Sequence, residues 1–235
     1  MANDVPVEKA GLRWLPLEAN PEVMNEFMYN LGMSKEYAFT DVYGFDPTLL
    51  AMVPQPVLAI ILCFPVTPAY EKYRLNEEAH ITQFEQNVCP DIIFYKQTIS
   101  NACGTIALLQ AVSNNEIVIK TGTPLATLVE KAQPMSADER AELLESDTTL
   151  AQAHQASAST GQTAAPDINA DVNLHFVCFI VKENHLYELD GRKPFPINHG
   201  KCTDLLSGGV KLVQQFMARD PDNVQFNLIA LTKAE

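Results

Sequence analysis

The stretch IIFYKQTISNACGTIALLQAV, residues 92–112, joins a short apolar run to a longer pattern of helical spacing. The run from Ile92 to Tyr95 is typical of a strand buried on both faces. Apolar residues then recur at every third or fourth position from Ala102 to Val112, which predicts a helix that begins at or near Asn101 and runs through the core. Cys103 therefore falls at the second helical position, after a turn that follows a strand.

The segments on either side of this stretch predict a mixed α/β fold with a central sheet. A second buried strand is expected from Val57 to Phe64. A helix is expected to open at Asn20-Pro21-Glu22, which supplies an N-cap, a proline at the first helical position and an acid in the first turn. Further expected elements are a helix opened by the capping box Ser136-Ala-Asp-Glu139, a hairpin with strands Leu174–Val181 and Leu186–Leu189, a helix around Val210, and a last strand from Phe226 to Leu231.

The length and composition favour one globular domain over residues 1–235, with a two-domain chain as the alternative that length leaves open. Hydrophobic residues make up 47 % of the 235 residues, enough for a substantial core. The longest apolar run, Val57 to Phe64, has about eight residues where a membrane helix needs about 20, and the N-terminus has no apolar signal segment. A soluble, cytoplasmic protein is expected.

The formal net charge of −13 argues against nucleic acid and anionic membranes as partners, because their phosphates would be repelled. The acidic surface would attract a basic partner, although acidic residues also simply keep a protein soluble. The five cysteines are widely spaced and form no C-x-x-C pair, so neither a disulfide framework nor a zinc site is indicated. No metal or cofactor is expected. The sequence does not determine the oligomeric state, for which a monomer is the expectation.

Cys103 is the cysteine whose position favours reactivity. The thiolate is the nucleophilic form, and the unpaired N–H groups and positive dipole end of a helix N-terminus stabilise it, lowering a thiol pKa from about 8.5 to ~3.5–7.5. The other four cysteines lie in apolar strands or in segments without such a feature. A cysteine in a first helical turn is still more often structural than catalytic, so a partner base is required.

A histidine on the predicted hairpin is the best candidate for that base. His175 starts an apolar strand, and Asp190 follows the returning strand, whereas His80 and His154 lie in polar segments and are expected to be solvated. A two-residue turn within Lys182–Asn184 makes Asp190 a directly opposed or diagonal neighbour of His175 on the same face. A three-residue loop without a bulge would place them on opposite faces. A catalytic pair therefore requires the even register or a compensating bulge, and a strand-edge histidine beside a surface aspartate is the alternative.

Gln97 completes the group of candidate catalytic residues. It ends the strand predicted before the Cys103 helix, so its amide can reach the same space as the Cys103 backbone N–H. Two such donors would form an oxyanion hole, worth about 2.7–4 kcal/mol per donor in comparable sites. A lone glutamine at a strand end is usually solvated, but the chain order Gln, Cys, His, Asp is that of papain-like thiol hydrolases.

Several motifs around these residues resemble the ubiquitin C-terminal hydrolases, specifically the short single-domain members. The motifs KQTISNACGTIALLQA, LHFVCFIV and HLYELDGRKPFPINHG carry the resemblance around the candidate site. RWLPLEANPEV, DVYGFDPTLL, MSADER and QFNLIAL extend it to nearly the whole chain, leaving residues 1–12 as an N-terminal extension.

The resemblance implies a papain-like cysteine hydrolase fold, in which a mostly antiparallel sheet is flanked by helices and the backbone is knotted. It also implies a crossover loop over the active site at residues 145–171. The implied catalytic residues are Cys103 as nucleophile, His175 as base and then acid, Asp190 as the orienter of His175, and Gln97 as oxyanion donor. The implied substrate contacts are Pro16, Leu17, Glu18, Ala19, Asp41 and Val42.

The implied substrate is ubiquitin, or a close homologue of it, cleaved after its C-terminal glycine. Ubiquitin ends Leu-Arg-Leu-Arg-Gly-Gly, so its arginines suit an acidic partner and its paired glycines suit a narrow channel. Residues 151–166 contain no large apolar side chain and are expected to form a mobile excursion. Their extended length, about 53 Å at ~3.3 Å per residue, is too short to pass over a folded domain, so small adducts and unfolded tails are the expected leaving groups.

Two other function classes remain open from the sequence. One is a ubiquitin-binding protein that keeps the family surface but turns over little. The other is a papain-like acyltransferase, which uses the same Cys, His and Asp but passes the acyl group to an amine instead of water.

Overall fold

The computed structural model describes residues 12–163 and 172–234. Within them, six strands form one antiparallel sheet in the order β1-β6-β2-β3-β4-β5. The prediction of a mostly antiparallel central sheet is therefore confirmed. The strands are β1 (Tyr37–Asp41), β2 (Val57–Pro65), β3 (Leu174–Lys182), β4 (His185–Leu189), β5 (Ile197–Lys201) and β6 (Asn227–Lys233).

Two helices begin where the sequence predicts caps. The Asn20 side chain accepts a hydrogen bond from the Glu22 N–H at 2.9 Å, and the capping box of Ser136 and Glu139 forms as predicted. In the described residues the helices are α1 (Pro21–Leu31), α2 (Pro47–Leu50), α3 (Pro68–Phe84), α4 (Cys103–Ser113), α5 (Pro124–Ala132), α6 (Ala137–Ser146), α7 (Thr148–Ala158) and α8 (Leu205–Ala218). None of them is long and apolar enough to cross a bilayer.

The sheet separates two hydrophobic cores. Along β2, Ile61 and Cys63 belong to the core shared with α1, α4, α5 and α7, while Ile60 and Leu62 belong to the core shared with α8. Every residue of α4 from 103 to 112 is buried, as expected of a helix that is apolar on all sides. The first turn of α4 is thus held rigidly between the sheet and the outer helices.

The run Ile92–Tyr95 is buried but does not form a strand, so that prediction is wrong. Its backbone is paired with side-chain amides at the C-terminal end of α4: Asn114, the C-cap residue, bonds both the N–H and the carbonyl of Ile93, at 2.9 and 2.8 Å. Gln110 does the same for Tyr95 at 3.3 and 3.1 Å. Buried backbone groups need partners, and here two amides replace a neighbouring strand.

The predicted start of the α4 helix is also corrected. The first helical residue is Cys103, preceded by Ala102 at the N-cap position, so Cys103 occupies the first and not the second helical position. Asn101 is not the cap, because its backbone is left-handed with φ of 62° and its side-chain amide donates to the Trp14 carbonyl at 3.1 Å. Asparagine tolerates this conformation better than most residues.

The segment expected to be a mobile excursion, residues 151–166, is helical in its first half, where it forms the end of α7. Asp147 caps α7 by accepting from the Leu150 N–H at 2.9 Å, and α7 packs against α1. Alanine is the best helix former, and the small side chains allow close packing around the buried Leu150. Residues 164–171, which include the end of this segment and of the predicted crossover loop, lie outside the described residues.

The hairpin between β3 and β4 has the predicted even register. Glu183 and Asn184 form a two-residue turn with φ of 48° and 57°, and Lys182 pairs with His185 on either side of it. Positive φ at both turn residues is the pattern of type I′ hairpins, whose twist matches that of the strands. This register decides which face of the sheet carries His175 and Asp190.

Candidate active site

Cys103 lies at the N-terminus of α4, where it borders two concave regions of the surface. Its side chain is 8 % exposed. All five cysteines are free thiols, but their surroundings differ. Burial, together with the nearby Cys103, raises the pKa of Cys63 to about 12, and burial also raises the pKa of Cys178. These two thiols are therefore held in the neutral, unreactive form.

His175 and Asp190 form a buried pair beside Cys103. The distance between His175 Nε2 and Asp190 Oδ1 is 2.7 Å, and the two residues are 3 % and 0 % exposed. Because Cys178 pairs with Leu189 on the same hairpin, continuing the register makes Asp190 the diagonal neighbour of His175 on one face of the sheet. The geometric requirement derived from the sequence is thus confirmed.

The carboxylate of Asp190 is held by further hydrogen bonds. Its Oδ1 also accepts from the Arg192 backbone N–H at 2.9 Å, and its Oδ2 accepts from the Tyr70 hydroxyl at 3.0 Å. Tyr70 is 3 % exposed and its ring lies edge-on to Phe64. Both carboxylate oxygens therefore have fixed donors, which prevents rotation of the group that orients His175.

The electrostatics of the pair favour its ionised form. Burial opposes the charge on His175, but Asp190 and then Cys103 outweigh it and raise the pKa of His175 to about 9. Burial would raise the pKa of Asp190, but His175 and, more weakly, Lys193 lower it. Cys103 also raises the pKa of His175 and lines the same groove, and since Asp190 occupies Nε2, Nδ1 is the ring nitrogen that remains for Cys103. At neutral pH the pair thus consists of an imidazolium and a carboxylate.

We expect the pair to make stability depend on pH above neutrality. The folded-state pKa of His175 is raised from 6.5 to about 9, so its stabilisation is full below pH 6.5 and is lost as pH rises towards 9. One proton changes the free energy of unfolding by at most ~1.4 kcal/mol per pH unit. Urea unfolding of wild type and His175→Gln from pH 6 to 10 measures this, and identical slopes for both would contradict it.

Gln97 faces the same groove as Cys103 and His175. Its amide Nε2 donates to the Ile99 carbonyl at 3.1 Å, and its backbone N–H donates to the Gly191 carbonyl at 2.8 Å. An amide nitrogen carries two protons, so one remains to be directed into the groove. The expectation that Gln97 ends a strand is wrong. The backbone of the run before it pairs with side-chain amides and not with a neighbouring strand.

The second concave region at Cys103 is a cavity of about 310 Å³ that contains four of the residues expected to contact substrate. Pro16, Leu17, Glu18 and Ala19 line it together with residues of β3. The Glu18 carboxylate accepts hydrogen bonds from the Thr163 N–H and hydroxyl at 3.3 and 3.2 Å. The full lining is Pro16, Leu17, Glu18, Ala19, Cys63, Asn101, Cys103, Ala158, Thr163, Val172, Leu174 and Phe176.

The other two expected contacts lie farther along the N-terminal part of the chain. Asp41 ends β1 and borders a separate groove together with Glu18 and Ala19. Val42 is 7 % exposed, and its backbone N–H donates to the Leu228 carbonyl at 2.8 Å. The structure therefore brings Asp41 to the same surface as Glu18 but leaves little of the Val42 side chain accessible.

Comparison with known proteins decides the family. The model of ubiquitin carboxyl-terminal hydrolase, family 1, matches residues 14–218. The chain belongs to this family. Relatives include a probable ubiquitin carboxyl-terminal hydrolase of Dictyostelium discoideum, 41 % identical over 99 % of this chain and 93 % of the relative. The human ubiquitin carboxyl-terminal hydrolase isozyme L1 is 38 % identical over 93 % of this chain and 98 % of the relative.

Solved structures support the fold of the family. The catalytic domain of Trichinella spiralis UCH37 bound to ubiquitin vinyl methyl ester matches with a TM-score of 0.73 and 18 % identity, covering 94 % of this chain and 96 % of that one. A longer UCH37 from the same organism, also bound to ubiquitin vinyl methyl ester, matches with a TM-score of 0.71 and 19 % identity, covering 94 % of this chain and 82 % of that one. The predicted papain-like α/β fold is confirmed, while the knot stays a prediction.

His154 is a buried residue whose solvent exposure was predicted wrongly from the sequence. It was expected to be solvated, but it is 0 % exposed on α7. Its ring nitrogens contact the Thr105 hydroxyl and the Leu15 carbonyl. The helical spacing of Leu150, His154 and Ala158 is the signal that would have placed it on a buried face. His80, by contrast, is exposed as expected.

A buried ion cluster stands behind Asp190. The Lys193 ammonium is 0 % exposed and lies 2.6 Å from both Glu77 and Glu188, while His199 contacts the other oxygen of Glu188 at 2.9 Å. The Lys193 N–H also donates to the Asp190 carbonyl at 2.9 Å. The cluster therefore ties α3 and β4 to the chain segment that carries Asp190, and no sequence motif distinguished Lys193.

Replacing Lys193 with methionine is expected to lower the free energy of unfolding by ~3–5 kcal/mol, because Glu188 would lose its closest cation while remaining buried. Burial opposes the charge on Glu188, and Lys193 is the first group that lowers the pKa of Glu188 again. Urea unfolding measures the loss. Lys201→Met, at an exposed position of β5, is the matched control, and an equal effect of the two substitutions would contradict a role of the cluster.

Proposed function

We propose that this chain is a deubiquitinating thiol hydrolase that cleaves peptide, isopeptide or ester bonds after the C-terminal glycine of ubiquitin or of a close homologue. The observation that carries the proposal is the buried His175–Asp190 pair beside a cysteine at a helix N-terminus, within a chain of this family. The pair supplies a base and acid of fixed orientation, and the helix start favours the thiolate.

In the first half-reaction the Cys103 thiolate attacks the carbonyl carbon of the terminal glycine. The negative charge that develops on the carbonyl oxygen is stabilised by Gln97 Nε2 and the Cys103 backbone N–H, since the first N–H groups of a helix have no intrahelical acceptor. The His175 imidazolium then gives its proton to the leaving amine or alcohol as the C–N or C–O bond breaks. The product is a thioester between Cys103 and ubiquitin.

In the second half-reaction water releases ubiquitin. Neutral His175 removes a proton from the water as the water oxygen attacks the thioester. The C–S bond then breaks to regenerate the thiolate and release the carboxylic acid, which gives its proton to solvent. Asp190, held by Tyr70 and the Arg192 N–H, keeps the ring in one orientation and stabilises the imidazolium in both steps.

The cavity next to Cys103 supports a glycine-terminated substrate. A Cβ placed on Gly104 would lie 3.0 Å from the Leu17 Cβ, so the wall and the nucleophile helix approach closely. Glycine residues pass where larger side chains would clash. Glu18 and Asp41 supply acidic groups on the same surface for the arginines that precede the glycines, in line with the net charge of −13.

The connection from α7 to β3 supports a preference for small or unfolded leaving groups. α7 ends at Ala158 and β3 begins at Leu174, so the fifteen residues between them reach only about 50 Å when fully extended at ~3.3 Å each. The described residues on either side of 164–171, Thr163 and Val172, both line the cavity. A folded protein domain would not pass through such a loop.

Hydrolysis of a fluorogenic amide on the ubiquitin C-terminus tests the proposal. Wild type is expected to release the fluorophore, and a substrate whose terminal glycine is replaced by valine is expected to resist because its side chain clashes in the cavity. Supplying an ordinary primary amine, such as the lysine side chain of a short peptide, distinguishes acyl transfer from hydrolysis, because an acyltransferase would accumulate the amide whereas a hydrolase would release free ubiquitin. If the protein binds ubiquitin but releases no fluorophore from the substrate with a terminal glycine, the proposed enzymatic activity is overturned. The alternative of a ubiquitin-binding protein would then be favoured.

A further inference from the structure

His154 connects three parts of the molecule that border the nucleophile. Its Nδ1 lies 2.7 Å from the Thr105 hydroxyl, and its Nε2 lies 2.6 Å from the Leu15 carbonyl oxygen. The ring also lies against Trp14, with a centroid distance of 4.5 Å, and edge-on to Phe27 at 6.2 Å. The side chain is fully buried, so both nitrogens have protein partners and water does not reach them.

The partners determine how the protons are arranged. The Leu15 carbonyl can only accept, so Nε2 carries the proton and donates it, and Nδ1 therefore accepts from the Thr105 hydroxyl. Burial lowers the pKa of His154 to about 4, against a smaller opposing effect of the Leu15 carbonyl. The ring is neutral at physiological pH and the two hydrogen bonds have a fixed direction.

Each partner occupies a position that matters for the cavity. Thr105 is in the first turn of α4, two residues after Cys103. Leu15 immediately precedes the four residues, 16–19, that line the cavity. The residue before Leu15 is held by the segment that precedes α4. The Trp14 N–H donates to the Ser100 carbonyl, and the Trp14 carbonyl accepts from the Asn101 side-chain amide. The Leu15 carbonyl is thus the last of these attachments before the lining residues.

We propose that His154 is a positioning residue for substrate binding, which sets the distance between the cavity wall at residues 16–19 and the nucleophile helix through Leu15 and Thr105. The inference rests on the proposed function and assigns a residue outside the triad to it. The close approach of Leu17 to Gly104 means that a small displacement of the wall changes the width of the cavity. Loss of the Thr105–His154 bond therefore affects the binding of the ubiquitin C-terminus more than the chemistry at Cys103.

Thr105→Val tests this, because it keeps the shape of the side chain and removes the donor to His154. We expect KM for the fluorogenic ubiquitin amide to rise about three- to tenfold, the effect of one lost hydrogen bond. We expect kcat and the rate of Cys103 alkylation by iodoacetamide to stay within about twofold. Thr105→Ser retains the hydroxyl and is expected to restore KM, which a merely structural role of the methyl group would not.

Two further measurements make the result decisive. His154→Gln keeps a donor for Leu15 and serves as a second variant if Thr105→Val fails to fold, which urea unfolding reveals; KM is expected to rise for it as well. The dissociation constant of ubiquitin, measured with Cys103→Ser as background, is expected to rise in parallel, and it reports on the wall even if wild type proves inactive. Unchanged KM and unchanged ubiquitin affinity in a folded variant would overturn the inference, as would a fall in kcat alone.

Discussion

Replacing Cys103 with serine is expected to reduce hydrolysis of the ubiquitin amide by at least about 10⁴-fold, the scale seen when the nucleophile of a triad is removed. A serine hydroxyl does not ionise near neutral pH, so the ion pair with His175 cannot form and the helix N-terminus has no anion to stabilise. Steady-state kinetics measures the loss. The dissociation constant of ubiquitin is expected to change by less than about threefold, because the cavity is retained.

Cys202→Ser is the matched control for this substitution. Cys202 is a half-buried free thiol in the segment that precedes α8, and it lies outside both concave regions at Cys103. Its replacement is expected to leave kcat/KM unchanged. An equal loss of activity in both variants, or substantial activity in Cys103→Ser, would show that the reaction does not depend on a thiolate at residue 103.

Replacing His175 with glutamine is expected to lower kcat by about 10⁴-fold or more, since one residue protonates the leaving group and activates the water. Glutamine can still donate to Asp190 but cannot transfer a proton near pH 7. The loss is expected in kcat at all pH values from 6 to 10, measured with the same amide. A normal pH profile would contradict the role of His175.

Two further variants are compared with the loss of kcat in His175→Gln. Asp190→Asn is expected to be milder than His175→Gln, because papain-like triads also function with asparagine as the orienting residue. His80→Gln is the control, since His80 is exposed on α3 and its ring lies against that of Phe84. It is expected to match wild type. A larger loss in Asp190→Asn than in His175→Gln would contradict the assigned roles.

The hairpin register is the part of the site that the sequence predicted best. Its turn residues, Glu183 and Asn184, adopt positive φ, and this is one of the two turn centres that the sequence left open, both of which keep His175 and Asp190 on the same face. The position of Asp190 relative to His175 follows from counting along the two strands. The cap of α1 and the capping box at Ser136 were equally predictable, because both depend only on residues three positions apart or fewer.

The errors have a common physical origin in contacts between distant residues. The run from Ile92 to Tyr95 looks like a strand, but whether its backbone pairs with a strand or with amides is decided by Gln110 and Asn114 on the helix that follows. Asn101 looks like a cap until Trp14 binds its side chain. Local sequence patterns indicate which side chains become buried and which polar groups need hydrogen bonds. Residues distant in the sequence determine which partners form those contacts.

The misjudged segment around His154 illustrates the same point for the site. Residues 151–166 lack large apolar side chains, yet α7 forms because Asp147 caps it and Leu150, just before the segment, is buried. A histidine among alanines was interpreted as solvated, while the structure gives it two buried partners. Composition alone therefore concealed a residue that we assign to substrate positioning.

The central claim is that Cys103, activated by His175, attacks the carbonyl at the C-terminus of ubiquitin. Reaction with ubiquitin carrying a C-terminal electrophile, followed by peptide mass spectrometry, tests it directly. The account predicts one covalent adduct per chain, located on Cys103 and absent from Cys103→Ser. An adduct on any of the other four cysteines, or no adduct in a folded protein, would contradict it.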